Sequence, residues 1–184
     1  MKRNVLGVMT AIVAIAASAP AAQAQNPMTF GIAAGASIPM GDLGDDFAKT
    51  GWHGMATLGF MPTMLPFGMR IDGMYNSMSL EDALGDASVR IIGANANAII
   101  AMPAMVASPY LIGGVGMYNS KLDIDDDDEG IFDTEGSTDF GINIGIGTKF
   151  NLSGFGTFAE IRYHNIFSEG SSTQFLPITF GIMF

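Results

Sequence analysis

The chain predicts an all-β fold: an eight-stranded antiparallel up-and-down transmembrane β-barrel preceded by a cleaved signal peptide. Three observations carry that expectation. Apolar residues recur at every second position in eight segments, carboxylates gather in alternate connections between them, and the first residues read as a basic and then apolar leader.

Lys2 and Arg3 precede an apolar run from Val5 to Ala19, and Ala22, Gln23 and Ala24 offer a small-x-small cleavage site. This is the pattern of a secretory signal peptide, too short for a membrane span of about 20 apolar residues. Residues 1–24 are therefore expected to be removed, leaving residues 25–184 as one domain. Loss of Lys2 and Arg3 leaves six basic against eighteen acidic residues, a formal charge of −12. Nothing in that balance favours nucleic acid, which rewards clustered Lys and Arg. Cysteine is absent, which excludes disulfides and thiolate metal sites. Only 14% of residues are charged and the mean hydropathy is +0.33, so the carboxylates must be concentrated somewhere.

Eight segments alternate with period two, the signature of strands with two unlike faces. The first, near Thr29 to Ile38, sets Phe30, Ile32, Ala34, Ala36 and Ile38 on one face. Near Gly51 to Met61, Trp52, Gly54, Ala56, Leu58 and Phe60 oppose His53, Met55, Thr57 and Gly59. The third, Phe67 to Asn76, opposes Phe67, Met69, Ile71, Gly73 and Tyr75 to Gly68, Arg70, Asp72, Met74 and Asn76. The fourth, Val89 to Ala101, opposes Ile92, Ala94, Ala96, Ala98 and Ile100 to Gly93, Asn95, Asn97 and Ile99. A glycine-rich fifth segment, near Pro109 to Asn119, leaves its faces open. In the sixth, Phe140, Ile142, Ile144, Ile146 and Phe150 oppose Gly141, Asn143, Gly145, Gly147 and Lys149. The seventh opposes Phe155, Thr157, Ala159, Ile161 and Tyr163 to Phe158, Glu160, Arg162 and His164. The eighth, "FLPITFGIMF", places Leu176, Ile178, Phe180, Ile182 and Phe184 on one face through the final residue, with Pro177 as its least strand-like member.

The connections fall into two kinds. Those after segments one, three, five and seven, such as "PMGDLGDDFAKT" and "SKLDIDDDDEGIFDTEGST", read as long or acidic. Those after segments two, four and six, "PTMLP", "MPAMVAS" and "NLSG", are short and uncharged. Only Asp72 and Glu160 of the acidic residues lie well inside segments. A transmembrane barrel sorts its connections this way, with tight turns at the periplasmic side and long loops outside. Closure also satisfies every backbone group, which hydrocarbon demands. Trp52, Phe60, Phe67, Tyr75, Tyr110, Tyr118, Phe150, Phe155 and Tyr163, near segment ends, are expected to form the interfacial girdles. Residues 91–119 hold no charge and are long enough for a spanning helix, but Asn95, Asn97, Pro103, Ser108, Pro109, Gly113, Gly114 and Gly116 interrupt them, which suits a hairpin better.

The terminal alternation ending in Phe184 resembles the carboxyl-terminal strand signature of bacterial outer-membrane barrels. "FGIAAGASIPMGDLGDDF", "PYLIGGVGMY" and "AEIRYHNIF" likewise resemble the small opacity-protein, OmpX and OmpA-barrel type, across essentially the whole mature chain. That resemblance implies an outer membrane of Gram-negative type and contacts with its lipid and lipopolysaccharide. It also implies periplasmic chaperones and the barrel-assembly machinery as biogenesis partners, the latter reading Leu176, Ile178, Phe180, Ile182 and Phe184. The family hosts adhesins, porin-labelled proteins, enzymes and surface proteins of other kinds.

Four candidate residues share the inward parity: Arg70 and Asp72 in segment three, Glu160 and Arg162 in segment seven. Two acids and two bases in an eight-stranded lumen, which side chains fill, should pair into a structural network. A wide aqueous pore needs about sixteen strands, so at most a narrow channel is expected. From Asp125, the 122–138 loop partly imitates a calcium loop, with Asp125, Asp127, Glu129, Gly130 and Asp133 in place. Its twelfth position is Gly136 rather than a bidentate Glu, and Glu135 falls one residue early, so a solvated, self-repelling loop is the expected reading. His164, Ser168 and Glu169 lie where a lipid A deacylase-type barrel would place a triad, yet the residue two after His164 is Ile166, and that family's His-x-Ser spacing is missing. "GGVG" and "GINIGIG" lack the following helix that cradles phosphate. The sequence thus predicts a monomeric, non-enzymatic surface component without cofactor or metal. A ligand- or ion-binding adhesin is the first alternative and a lipid-modifying enzyme the second.

Overall fold

A computed structural model of the chain describes residues 28–41, 43–44, 48–62, 67–80, 87–102, 107–124, 137–152, 155–168 and 170–184. The stretch read as a leader, most of the acidic 122–138 stretch and Glu169 lie outside these residues. Eight strands follow in chain order: β1 (Met28–Met40), β2 (Gly51–Phe60), β3 (Phe67–Ser79), β4 (Ala87–Ala101), β5 (Ala107–Ile124), β6 (Ser137–Leu152), β7 (Phe155–Ser168) and β8 (Ser171–Met183). Each pairs antiparallel with its sequence neighbour, and β8 returns to β1 to close the barrel. No helix among the described residues is long and apolar enough to cross a membrane, and the uncharged 91–119 stretch contributes instead to β4 and β5.

Period-two chemistry sets which side chains face out. On β3, Met69 and Ile71 are exposed while Arg70 and Asp72 between them are buried. β6 repeats the pattern, with Ile142, Ile144 and Ile146 outside and Asn143 within. A water-soluble sheet would bury these isoleucines. Here they form the apolar belt that lipid requires, while the polar side chains occupy the interior. Ile144 is 67% exposed in the middle of β6. Ile144→Arg is therefore expected to cost about 2–4 kcal/mol, the range for Arg near a bilayer midplane. Urea unfolding in phosphatidylcholine vesicles checks it; an unshifted midpoint would place β6 outside the hydrocarbon.

The seam is held by main-chain bonds that reach the last residue. Phe184 N donates to Phe30 O at 2.8 Å, and Phe30 N donates to Phe184 O at 3.1 Å. Ile32 opposes Ile182 and Ala34 opposes Phe180 along the same ladder. Pro177 interrupts only the other edge of β8. The β7–β8 register steps from Ile161↔Ile178 to His164↔Phe175, leaving the Arg162 and Tyr163 positions unpaired beside a residue with no N–H.

Three expectations are corrected. β5 continues to Ile124 and β6 begins at Ser137, so Ser120↔Ser137 and Ala87↔Ile124 pair within stretches read above as loop. Polar residues are tolerated there because strand pairing goes on past the apolar belt. The seventh connection, placed above among the long or acidic ones, is acidic through Glu169 but short: Ser168 pairs with Ser171, and Gly170 supplies the positive φ of +80° that the reversal needs. Finally, Tyr110 and Tyr118 do not belong to a girdle. Both are buried in the lumen, because β5 points them inward with Ile112. Trp52, Phe60 and Phe67 do lie exposed near strand ends, and Trp52 stacks on Tyr75 with ring centroids 5.1 Å apart.

Candidate functional site

Among the described residues, the fully buried charged side chains come from β3 and β7, which face each other across the lumen. Residues two apart on one strand share a face, so Arg70 lies beside Asp72 and Glu160 beside Arg162. The lumen brings the two pairs together. Arg70 Nε donates to Asp72 Oδ1 at 2.8 Å and Arg70 Nη2 to Glu160 Oε1 at 2.9 Å. Arg162 Nη1 donates to Asp72 Oδ2 at 2.8 Å, while Arg162 Nη2 and Nε reach Glu160 Oε1 at 2.5 and 2.9 Å. Each base thus meets both acids, and the four side chains form a closed, charge-neutral ring. All four are at most 3% exposed.

Neighbours complete the ring's hydrogen bonding. Tyr110 Oη donates to Glu160 Oε2 at 2.7 Å, and Asn97 Nδ2 donates to Asp72 Oδ2 at 2.8 Å. Arg162 Nη2 also points at Met55 Sδ, 3.4 Å away, and the Arg70 guanidinium lies 5.7 Å from the centre of the Phe158 ring. Buried charges are stable only when paired and when their remaining donors and acceptors are satisfied, and this arrangement supplies both. Toward the end carrying the termini, Tyr110, Ile99 and Ile112 pack as one apolar cluster on that side of the ring, with Lys149 Nζ 5.7 Å from the centre of the Tyr110 ring.

Glycine makes room for this filling. A Cβ on Gly93 or Gly141 would approach the Tyr118 ring to 2.8 Å, and one on Gly147 would collide with Tyr110. Gly93, Gly141 and Gly147 are therefore the volume complement of the lumenal tyrosines. Gly147→Val should push Tyr110 off Glu160 and destabilise the barrel by about 1–3 kcal/mol, the usual cost of overpacking. Loss of the Tyr110 contact, followed by tyrosine ultraviolet resonance Raman alongside unfolding, checks this; an unchanged Tyr110 signal would refute it.

Sequence reading found the four charges but missed Tyr110 and Asn97. Asn97 already had inward parity on β4, a usable signal. Tyr110 had none, because β5 alternates glycine with both apolar and aromatic residues. The proposed enzymatic residues are kept apart by their partners. His164 Nδ1 lies 2.8 Å from Tyr118 Oη and its ring stacks on Phe175 at 4.8 Å, whereas Ser168 Oγ donates to Asp139 Oδ2 at 2.9 Å. Glu169 lies outside the described residues. Among the described residues, no three His, Cys, Asp or Glu side chains gather as a metal site.

A wall of alternating faces, a closed seam and a plugged interior describe the architecture; sequence comparison supplies the family. Residues 9–184 match the outer membrane protein beta-barrel domain. The chain belongs to that family. It is an outer-membrane barrel, and solved structures share its form. Neisserial surface protein A superposes with a TM-score of 0.62 at 16% identity, over 86% of this chain and 96% of that one. Ail, the attachment invasion locus protein of Yersinia pestis, gives 0.55 at 14% identity over 87% and 99%. The amino-terminal β-barrel domain of Pseudomonas aeruginosa OprF gives 0.51 at 16% identity over 86% and 98%. No curated protein matches the chain in sequence.

Proposed function

We propose that this barrel is a non-enzymatic structural and surface component of the outer membrane, with a lumen that carries no solute flux. The carrying observation is the closed Arg70–Asp72–Arg162–Glu160 ring, which neutralises and fills the middle of the barrel. An eight-stranded wall leaves space for side chains and little more, so a cross-lumen ring removes the path a porin would need. Conductance across planar bilayers tests this: purified barrel should give no stable steps, and steady large currents would overturn the reading.

A second reading, surface binding through the outer connections, is favoured by the placement of acidic residues. Nearly all carboxylates lie in or beside the connections opposite the termini. Such loops would meet divalent cations, the cation-bridged headgroups of lipopolysaccharide or a basic partner. The orientation that goes with it places both termini in the periplasm, and the outward face of β8 would be the element read during assembly. Comparing cell-surface binding of a basic probe protein before and after deletion of residues 125–136 distinguishes this reading. A lipid-modifying enzyme would instead release fatty acid from labelled lipid A, a result that would replace both.

A further inference from the structure

Between the charged ring and the loop end of the lumen lies a second buried layer, made of His53, Ser37, Asn76, Asn143 and His164, which the pairing described so far leaves incomplete. His164 stands two residues beyond Arg162 on β7, and Ile166, two residues further, belongs to a buried apolar cluster with Met78, Ile91 and Phe175. The layer thus lies between the charged ring and these apolar side chains.

Hydrogen-bond direction determines the state of His164. Asn95 Nδ2 donates to Met74 Sδ at 3.2 Å, so Asn95 presents its carbonyl oxygen to Tyr118. The Tyr118 hydroxyl has one hydrogen and gives it to Asn95 Oδ1. Its contact with His164 Nδ1, at 2.8 Å, must then be one in which Tyr118 Oη accepts. His164 consequently carries its proton on Nδ1 and offers a bare lone pair at Nε2. That nitrogen is fully buried and has no partner among the protein atoms. Across the β6–β7 ladder Asn143 opposes His164 on the same inward face; its amide N–H lies against the Tyr118 hydroxyl oxygen, and its Oδ1 is without a partner. On the facing wall His53 Nε2 contacts Thr179 Oγ1 at 2.8 Å, while His53 Nδ1 and Ser37 Oγ are left over.

We infer that His164 Nε2 and the Asn143 amide form a hydration site holding one fixed water. The ligand class follows from the donor set. His164 Nε2 and Asn143 Oδ1 each need a donor, and the two hydrogens of one water supply both. Buried polar groups in this condition are regularly satisfied by ordered water with two to four partners. The His53 and Ser37 atoms repeat the same demand on the opposite wall.

The chain contains two histidines, so histidine-selective nitrogen labelling of the full-length barrel in lipid gives an assignable spectrum once His53→Gln has removed one of them. In that variant at neutral pH, His164 should be the neutral Nδ1–H tautomer, with a slowly exchanging water cross-peak at the ring edge carrying Nε2. Tyr118→Phe should move the proton to Nε2, and Asn143→Leu should reduce the water cross-peak to background while leaving the tautomer unchanged. An Nε2–H tautomer or a charged ring before Tyr118 is altered would overturn the inference. So would a water signal indifferent to Asn143→Leu. Heat-modifiable gel migration establishes that each variant is a closed barrel. Should Asn143→Leu not fold, the tautomer in the His53→Gln barrel alone decides.

Discussion

Arg162→Ala is expected to lower the stability of the barrel by roughly 3–5 kcal/mol, the cost of breaking a buried pair from one side. The substitution leaves Asp72 and Glu160 sharing the single charge of Arg70, with Asn97 and Tyr110 as their remaining neutral donors. Because Arg162 donates to both acids and to Met55, no neighbour can rotate to replace it. Water drawn into the lumen would offset part of the loss at the expense of packing. Two further variants separate charge from shape. Arg162→Lys keeps the charge without the fork that spans both acids, and should lie between wild type and Ala. Arg162→Ala combined with Glu160→Gln restores neutrality and should recover part of the midpoint. Urea unfolding in vesicles reads all three. Should Arg162→Ala leave the midpoint unmoved, the ring would not support the fold, and the filled-lumen reading would lose its basis.

The second large effect concerns the seam. Truncation after Thr179 removes the pairings of Phe180, Gly181, Ile182 and Met183 with both β1 and β7, together with the Phe30–Phe184 bonds. Backbone groups left open in hydrocarbon cost several kcal/mol each, and no water is present to take them up. We expect no heat-modifiable species from this truncation, in vesicles or in cells. Phe184→Ala retains the entire main-chain ladder and loses only one lipid-facing ring. It should fold normally in vesicles yet accumulate less in the outer membrane, since the terminal aromatic would act through recognition rather than stability. Equal defects in both settings would count against an assembly role for β8, and a folded truncation would count against the closed seam.

How much of this was readable in advance differs between wall and interior. Strand number, the inward or outward sense of seven strands and the four lumenal charges were all legible. A pleated strand exposes alternate residues to different media, and lipid against lumen is a strong chemical contrast. Strand ends were less legible. Ser120, Lys121 and Leu122 look like loop, yet they pair, because a ladder started within the membrane continues outward without needing apolar side chains. The short turn at Gly170 was hidden by "SEGSS", a string that suits a long loop as well as a tight one.

Tyr110 and Tyr118 show the limit most clearly. Within β5, small and aromatic residues fall on both parities, so the strand alone says little about which side is the lumen. Their placement depends on glycines at positions 93, 141 and 147, which are remote in sequence and adjacent only after closure. The chain by itself therefore determined that a two-faced sheet would form, that its outer face would meet lipid and where its buried charges would sit, because alternation is a local property. Only the tertiary structure decided that each arginine would bind both acids, that tyrosines would fill the space the glycines leave, and that His164 would hold a bare nitrogen above the ring. Those features arise from shear and closure, which bring together side chains that no local pattern relates.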